Sequence, residues 1–304
     1  MDDLAGTVLN KLVPGGVQRG ELRRGHRLLR WVEAGSGEPT VILDAGLAEP
    51  GSLVWAGVLP ALSARTRVIA YDRAGIGASD PVSPLTLDGE LDDLAALAGA
   101  GAGHSVLVGH SWGRPAGPAR RVPPPGTGGG AGAGRPDPRG RAGGSPLRLR
   151  AMMAVRGQGA QLLHTLGQLD RMVRGAFRPF AQQLTSIPGL QAQILDAYAA
   201  CYTGRAQARM LRDENRLSMT SVPQARQIRA GAALPDVPIT VISATKGLPD
   251  AIRDRWTAVQ AGLADSVAGG EHIVAQATGH AIQQERPELV TNAVIRVLDH
   301  VRQP

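Results

Sequence analysis

Three short runs rich in β-branched residues, Thr40–Leu43, Arg67–Tyr71 and Ser105–Val108, alternate with stretches whose apolar residues fall at helical spacing. No other feature of the chain constrains its fold as much. Consecutive buried-type strands joined through helices cannot be hairpins; they predict parallel strands with crossover connections. The helices are predicted over 52–64 and 85–99. Ahead of them, residues 17–33 alternate in a way that suggests an antiparallel hairpin, and residues 1–15 read as a short amphipathic lead. The alternation returns late in the chain. Ile239–Ser243 is a strand, 250–263 a helix, 272–275 a short strand, and Pro287 to about Val301 a final helix. Residues 150–230 read as several helices, with breaks at Pro179, Pro188-Gly189 and Pro223. The expected architecture is a doubly wound, mostly parallel α/β sheet with a helical cap. Residues 17–113 and 235–304 form the core, and 150–230 form the cap. No internal repeat is visible.

With 304 residues the chain has room for one large domain with an insertion or two modest ones, and its 43% hydrophobic content can fill a core. The opening MDDLAGTVLN has no basic start and no apolar run of signal length, so no secretory signal is expected. No stretch approaches the roughly 18 apolar residues of a membrane span, so no membrane association is expected. Cys201 is the single cysteine. An intrachain disulfide is therefore impossible, which suits a cytoplasmic setting, and Cys201 reads as a packing residue in a helical pattern.

The net charge of +7 invites a nucleic-acid reading, but its distribution opposes one. Residues 114–150 carry eight arginines and one aspartate, which accounts for all of it. That segment lacks aromatic residues for base stacking, so no nucleic-acid partner is expected. Residues 114–146 also hold eight prolines and ten glycines, with almost no large apolar residue and no period. Pro123-Pro124-Pro125 would break any helix there. The chain has 31 arginines and two lysines, the signature of a GC-rich gene. Reading such a gene out of frame yields this Arg/Pro/Gly/Ala mixture. A shifted frame from Arg114 to Gly140 permits an amphipathic helix, a turn, a buried strand and an acid-bearing loop. The competing account is a native Gly/Pro-rich insertion. Resequencing the gene separates them.

Directly after the third strand stands Gly109-His110-Ser111-Trp112-Gly113. A serine between glycines at a strand-to-helix turn fits a nucleophile elbow, because bulk on either side would clash with the neighbouring strand and helix. A Gly279-His280 pair lies ahead of the last helix, in the chain order a serine–histidine couple would need. On these residues the chain resembles the α/β-hydrolase fold, in particular bacterial esterase- and lipase-like serine hydrolases. The likeness covers about 40–113 and 235–304.

The resemblance implies that Ser111 is the nucleophile and His280 the general base. It implies that the backbone N–H groups of Leu47 and Trp112 form the oxyanion hole. Asp44-Ala45-Gly46 stands where the family often has His-Gly. Asp72-Arg73-Ala74-Gly75-Ile76-Gly77 resembles the family's architectural loop near the pocket mouth and fits no nucleotide fingerprint. His110 is expected to line the pocket. The family's acid usually follows the strand that here is Ile239–Ser243. Asp250 is the nearest carboxylate there and the candidate acid, but it begins a helix, where the favoured reading of an aspartate is a cap; Asp254 lies further in and fits less well. Met152, Met153, Leu162, Leu163, Phe177 and Phe180 either shape an apolar pocket or pack the core. No metal or organic cofactor is implied, the partner expected is a small-molecule substrate, and no oligomeric state follows. The activity implied is cleavage of an ester-like bond through an acyl-serine. The alternative is a catalytically impaired α/β-hydrolase-like or small-molecule binding protein.

Overall fold

The computed structural model describes residues 3–100, 103–111, 168–231 and 237–302. The aberrant segment 114–146 lies outside them, as do Trp112 and the candidate pocket residues Met152, Met153, Leu162 and Leu163.

The hairpin forms as expected: β1 (Gln18–Arg24) pairs antiparallel with β2 (Arg27–Ala34). The three buried runs become β3 (Thr40–Asp44), β4 (Val68–Asp72) and β5 (Ser105–Gly109). The order across the sheet is β1-β2-β4-β3-β5, with β3 parallel to both β4 and β5 and β2 antiparallel to β4. β3 and β4 are buried at every position, as continuous apolar runs covered on both faces must be. β6 (Thr240–Ala244) and β7 (Glu271–Ala275) form a separate parallel pair among the described residues. His272 Nε2 lies 2.8 Å from Ser243 Oγ and pins that pair.

The lead helix is α1 (Leu4–Leu12), opened by Asp3, whose carboxylate accepts the Gly6 N–H. The single helix expected over 52–64 is instead two pieces, a 3₁₀ turn at Gly51–Trp55 and α2 (Leu59–Ser63). Pro60 sits in the first turn of α2, where it is tolerated, but it has no N–H with which to continue a helix from before it. α3 (Leu87–Ala100) returns the chain from β4 to β5.

Among the described residues of the stretch expected as a cap, four helices follow: α4 (Leu169–Leu184), α5 (Pro188–Thr203), α6 (Arg205–Thr220) and α7 (Val222–Gly231). The breaks at Pro188 and Pro223 occur. The one expected at Pro179 does not, because Pro179 lies inside α4. An internal proline costs about 3 kcal/mol, yet α4 buries Leu169, Val173, Phe180 and Ala181, which offsets that loss. Phe177 stacks on Tyr198 at 4.0 Å and Phe180 meets the same ring edge-on. These aromatics continue the apolar cluster that includes Val41, Leu43 and Trp55 of the core. The chain closes with α8 (Asp250–Ala264), the short α9 (Ile282–Glu285) and α10 (Pro287–Val301). Among the described residues no helix is long and apolar enough to cross a membrane.

Candidate active site

β5 ends at Gly109 and delivers Ser111 two residues later, with φ of +53°. A non-glycine residue rarely adopts that conformation, which costs on the order of 1–3 kcal/mol and is concentrated at functional turns. Gly109 and His110 are set by the neighbouring strand: Gly109 pairs with Asp44 of β3, and the His110 N–H donates to the Asp44 carbonyl at 3.1 Å.

The loop between β7 and α9 carries His280. Its Nε2 lies 2.9 Å from Ser111 Oγ. Neutral imidazole has one acceptor nitrogen, so Nε2 accepts the Ser111 hydroxyl hydrogen when Nδ1 bears the ring proton. Burial, then the nearby His110, push the His280 pKa down, and Glu49 opposes them only in part. The loop is tied on its other side by Thr245, whose Oγ1 accepts the Ala277 N–H and donates to the Ala275 carbonyl. Gly279 N–H donates to Glu285 Oε2.

Among the described residues, no carboxylate bonds the Nδ1 of His280. Asp250 does not supply one. Its carboxylate is 84% exposed and pairs with Arg253, one helical turn on, at 2.8 Å. It is not the cap either, since Pro249 occupies that position and makes no side-chain capping bond. The residue begins a helix on the solvent side, and the neutral Thr245 makes the link to the His280 loop. Asp254 likewise pairs with Arg253 and is exposed.

Leu47 lies in the turn after β3. Its neighbours' N–H groups are taken, Gly46 by Glu49 Oε2 and Ala48 by Glu214 Oε2 at 2.8 Å. Among the described residues nothing accepts the Leu47 N–H. Arg73 braces the turn: its guanidinium donates to the Ala45 and Gly46 carbonyls and twice to Glu214 Oε1. Burial lowers the Arg73 pKa, but Glu214, Asp44 and Glu90 outweigh it and raise it overall. Asp72, also buried, accepts the Ser52 and Ala78 N–H groups and so closes the loop from 72 to 78. Burial raises its pKa to about 6, against the pull of those two bonds.

Several of these residues carried no sequence signal of their role. Glu214 meets Arg73 across 141 residues. Glu49 follows Asp44-Ala45-Gly46-Leu47-Ala48 with no motif to mark it. Cys201 is half-buried, and the loss of solvent around its thiol pushes the pKa up to about 12, which disfavours the thiolate. Among the described residues no group of three or more His, Cys, Asp or Glu is arranged to hold a metal ion.

A family model described as "Alpha/beta hydrolase family" matches residues 41–293. Three mycobacterial proteins from Mycobacterium bovis and M. tuberculosis, each described as "Probable oxidoreductase EphD", are 34% identical over 94 residues. That match spans 29% of this chain and 16% of their own length. Among solved structures, a thermophilic esterase from Thermogutta terrifontis is 19% identical, with a TM-score of 0.58 over 94% of this chain and all of the other. The epoxide hydrolase VrEH1 from Vigna radiata is 18% identical, with a TM-score of 0.59 over 94% and 98%. The enol-lactonase from Burkholderia xenovorans LB400 is 19% identical, with a TM-score of 0.55 over 92% and 100%. At these identities the likeness shows a shared fold.

Proposed function

Because this chain belongs to the alpha/beta hydrolase family, we propose that it cleaves an ester-like bond of a small molecule through an acyl-serine intermediate. One observation carries the reading: the 2.9 Å contact between Ser111 Oγ and His280 Nε2, made by a serine at φ +53°. Members of one fold run different reactions, so the chemistry must be argued from the site. A hydroxyl nucleophile beside a neutral imidazole suits attack on a carbonyl carbon.

In this reading His280 Nε2 takes the Ser111 proton as Oγ adds to the carbonyl carbon. The negative oxygen of the tetrahedral intermediate is met by the Leu47 N–H, and the resemblance assigns a second donor to Trp112. Collapse breaks the ester C–O bond. His280 returns the proton to the departing alkoxide, then draws one from water as that water attacks the acyl-serine; collapse of this second intermediate breaks the acyl–Oγ bond, releases the carboxylic acid, and returns the proton from His280 to Ser111 Oγ. Turnover of a chromogenic short-chain ester, compared between the native protein and Ser111→Ala, tests this. Loss of turnover in the variant supports it; equal rates, or none in the folded native protein, favour the impaired or binding-protein alternative.

A further inference from the structure

His110 lies next to the nucleophile in sequence, but its side chain faces the base. Its Nε2 is 2.7 Å from the His280 carbonyl oxygen. A carbonyl only accepts, so Nε2 carries a hydrogen and donates it. On the other edge of the ring, Nδ1 lies 2.9 Å from Glu49 Oε1, although not well aligned with it. Both side chains are largely buried, His110 11% and Glu49 15% exposed.

Glu49 is itself held in place. It accepts the Gly46 N–H on Oε2 and the Gln283 side-chain amide on Oε1 at 3.0 Å. Gly46 precedes Leu47 in the oxyanion turn, and Gln283 follows His280 by three residues. One carboxylate thus spans the two loops that must stay in register for catalysis. Burial pushes the Glu49 pKa up, but His110, the Gly46 N–H and Arg73 pull it down further, to a net position below the usual carboxylate range. That favours the carboxylate form of Glu49 beside the His110 ring. The two imidazole rings lie 4.8 Å apart, tilted by 52°.

We propose that Glu49 and His110 are a positioning pair for the base. They fix the His280 loop through its carbonyl, and a proton taken up by His110 sets a positive charge 4.8 Å from the His280 ring, which favours the neutral, proton-accepting form there. The inference rests on the reading of Ser111 and His280 as nucleophile and base. Besides His110 and Glu49, the charged groups described at this loop are Glu285 and Lys246. Glu285 accepts the Gly279 N–H and lies 3.8 Å from Lys246 Nζ, so the two offset each other. Arg73 acts on Glu49 from beyond the oxyanion turn.

The test compares the native protein with His110→Phe and His110→Gln. The first removes both contacts. The second keeps an amide N–H for the His280 carbonyl but carries no charge. Titration of the His280 ring by NMR reports its protonation whether or not the protein turns over an ester. Steady-state ester hydrolysis across pH reports the consequence. The proposal predicts that both variants move the His280 midpoint to higher pH. It predicts that His110→Phe lowers kcat by about tenfold or more at pH 7 with KM within about twofold, as misplacement of a catalytic group does. His110→Gln should restore part of that kcat without restoring the midpoint. An unchanged or lowered midpoint in His110→Gln overturns the proposal. A raised midpoint in a protein that hydrolyses no ester upholds the pair and refutes the catalytic reading instead.

Discussion

His280 Nε2 lies 2.9 Å from Ser111 Oγ, although 169 residues separate them along the chain. Two independent pieces of local structure create that contact. The parallel sheet ends β5 beneath a left-handed turn at Ser111, and the loop after β7 returns a histidine to the same edge. Neither makes sense as packing alone, because a strained serine on a surface turn stabilises nothing by itself.

The first prediction concerns pH. The His280 pKa is lowered by burial and by His110. A base with a depressed pKa stays unprotonated further into acid, so the acid limb of kcat/KM should have its midpoint below the ordinary histidine value of about 6.5. The same sign holds for stability. A histidine whose folded pKa is depressed costs stability as pH falls through its unfolded pKa, so His280→Gln should be relatively less acid-sensitive below about pH 6.5. A pH–rate series and melts at pH 5 and 7 check both.

Removing the Glu214 carboxylate should cost folding stability. Glu214 is buried, pairs with Arg73 and accepts the Ala48 N–H. Deleting one partner of a buried ion pair strands the other, at about 3–5 kcal/mol. Asp44 and Glu90 also face Arg73, so Glu214→Ala should fall near the lower end. Denaturant unfolding measures it.

Gly46→Ala is predicted to separate activity from stability. An added Cβ would lie 2.8 Å from both Glu49 Oε2 and His110 Nδ1. Glu49 Oε2 ends a side chain that can shift, but His110 Nδ1 belongs to a buried ring held at its other edge, so a stability loss of about 1–3 kcal/mol is expected. The displaced pair should lower kcat by about tenfold. Parallel thermal melts and ester kinetics test the split.

Asp250→Asn is predicted to change little. The exposed pairing with Arg253 is the kind of surface contact worth about 0–1 kcal/mol, and the carboxylate makes no described contact with His280. Turnover within about twofold of native is expected. A loss of about a hundredfold or more would return Asp250 to the role of catalytic acid.

The strands were legible because β3 and β4 are buried at every position, so burial and β-propensity point the same way. The terminal helix from Pro287 to Val301 was legible because a proline opens it and its apolar residues keep one period. Local pattern failed where tertiary packing decided the outcome. α4 runs through Pro179 because its buried face offsets the break. In the site, Ser111 and His280 could be read because motif and chain order mark them. Arg73 could be read only as part of an architectural loop, and Glu49 and Glu214 not at all, because a carboxylate shows its partner only once distant segments meet. Asp250 drew notice for standing nearest in sequence to the expected place, and nearness along the chain does not set which way a helix-end side chain faces.

The central claim is that Ser111 and His280 form a working nucleophile and base. Labelling of the native protein with a fluorophosphonate probe, followed by mass spectrometry of the modified peptide, tests it most directly, since the probe requires an activated serine and an oxyanion site together. The prediction is stoichiometric labelling at Ser111, abolished in Ser111→Ala and slowed by about a hundredfold or more in His280→Gln. A folded native protein that takes up no label, or that is labelled equally in Ser111→Ala, would contradict it.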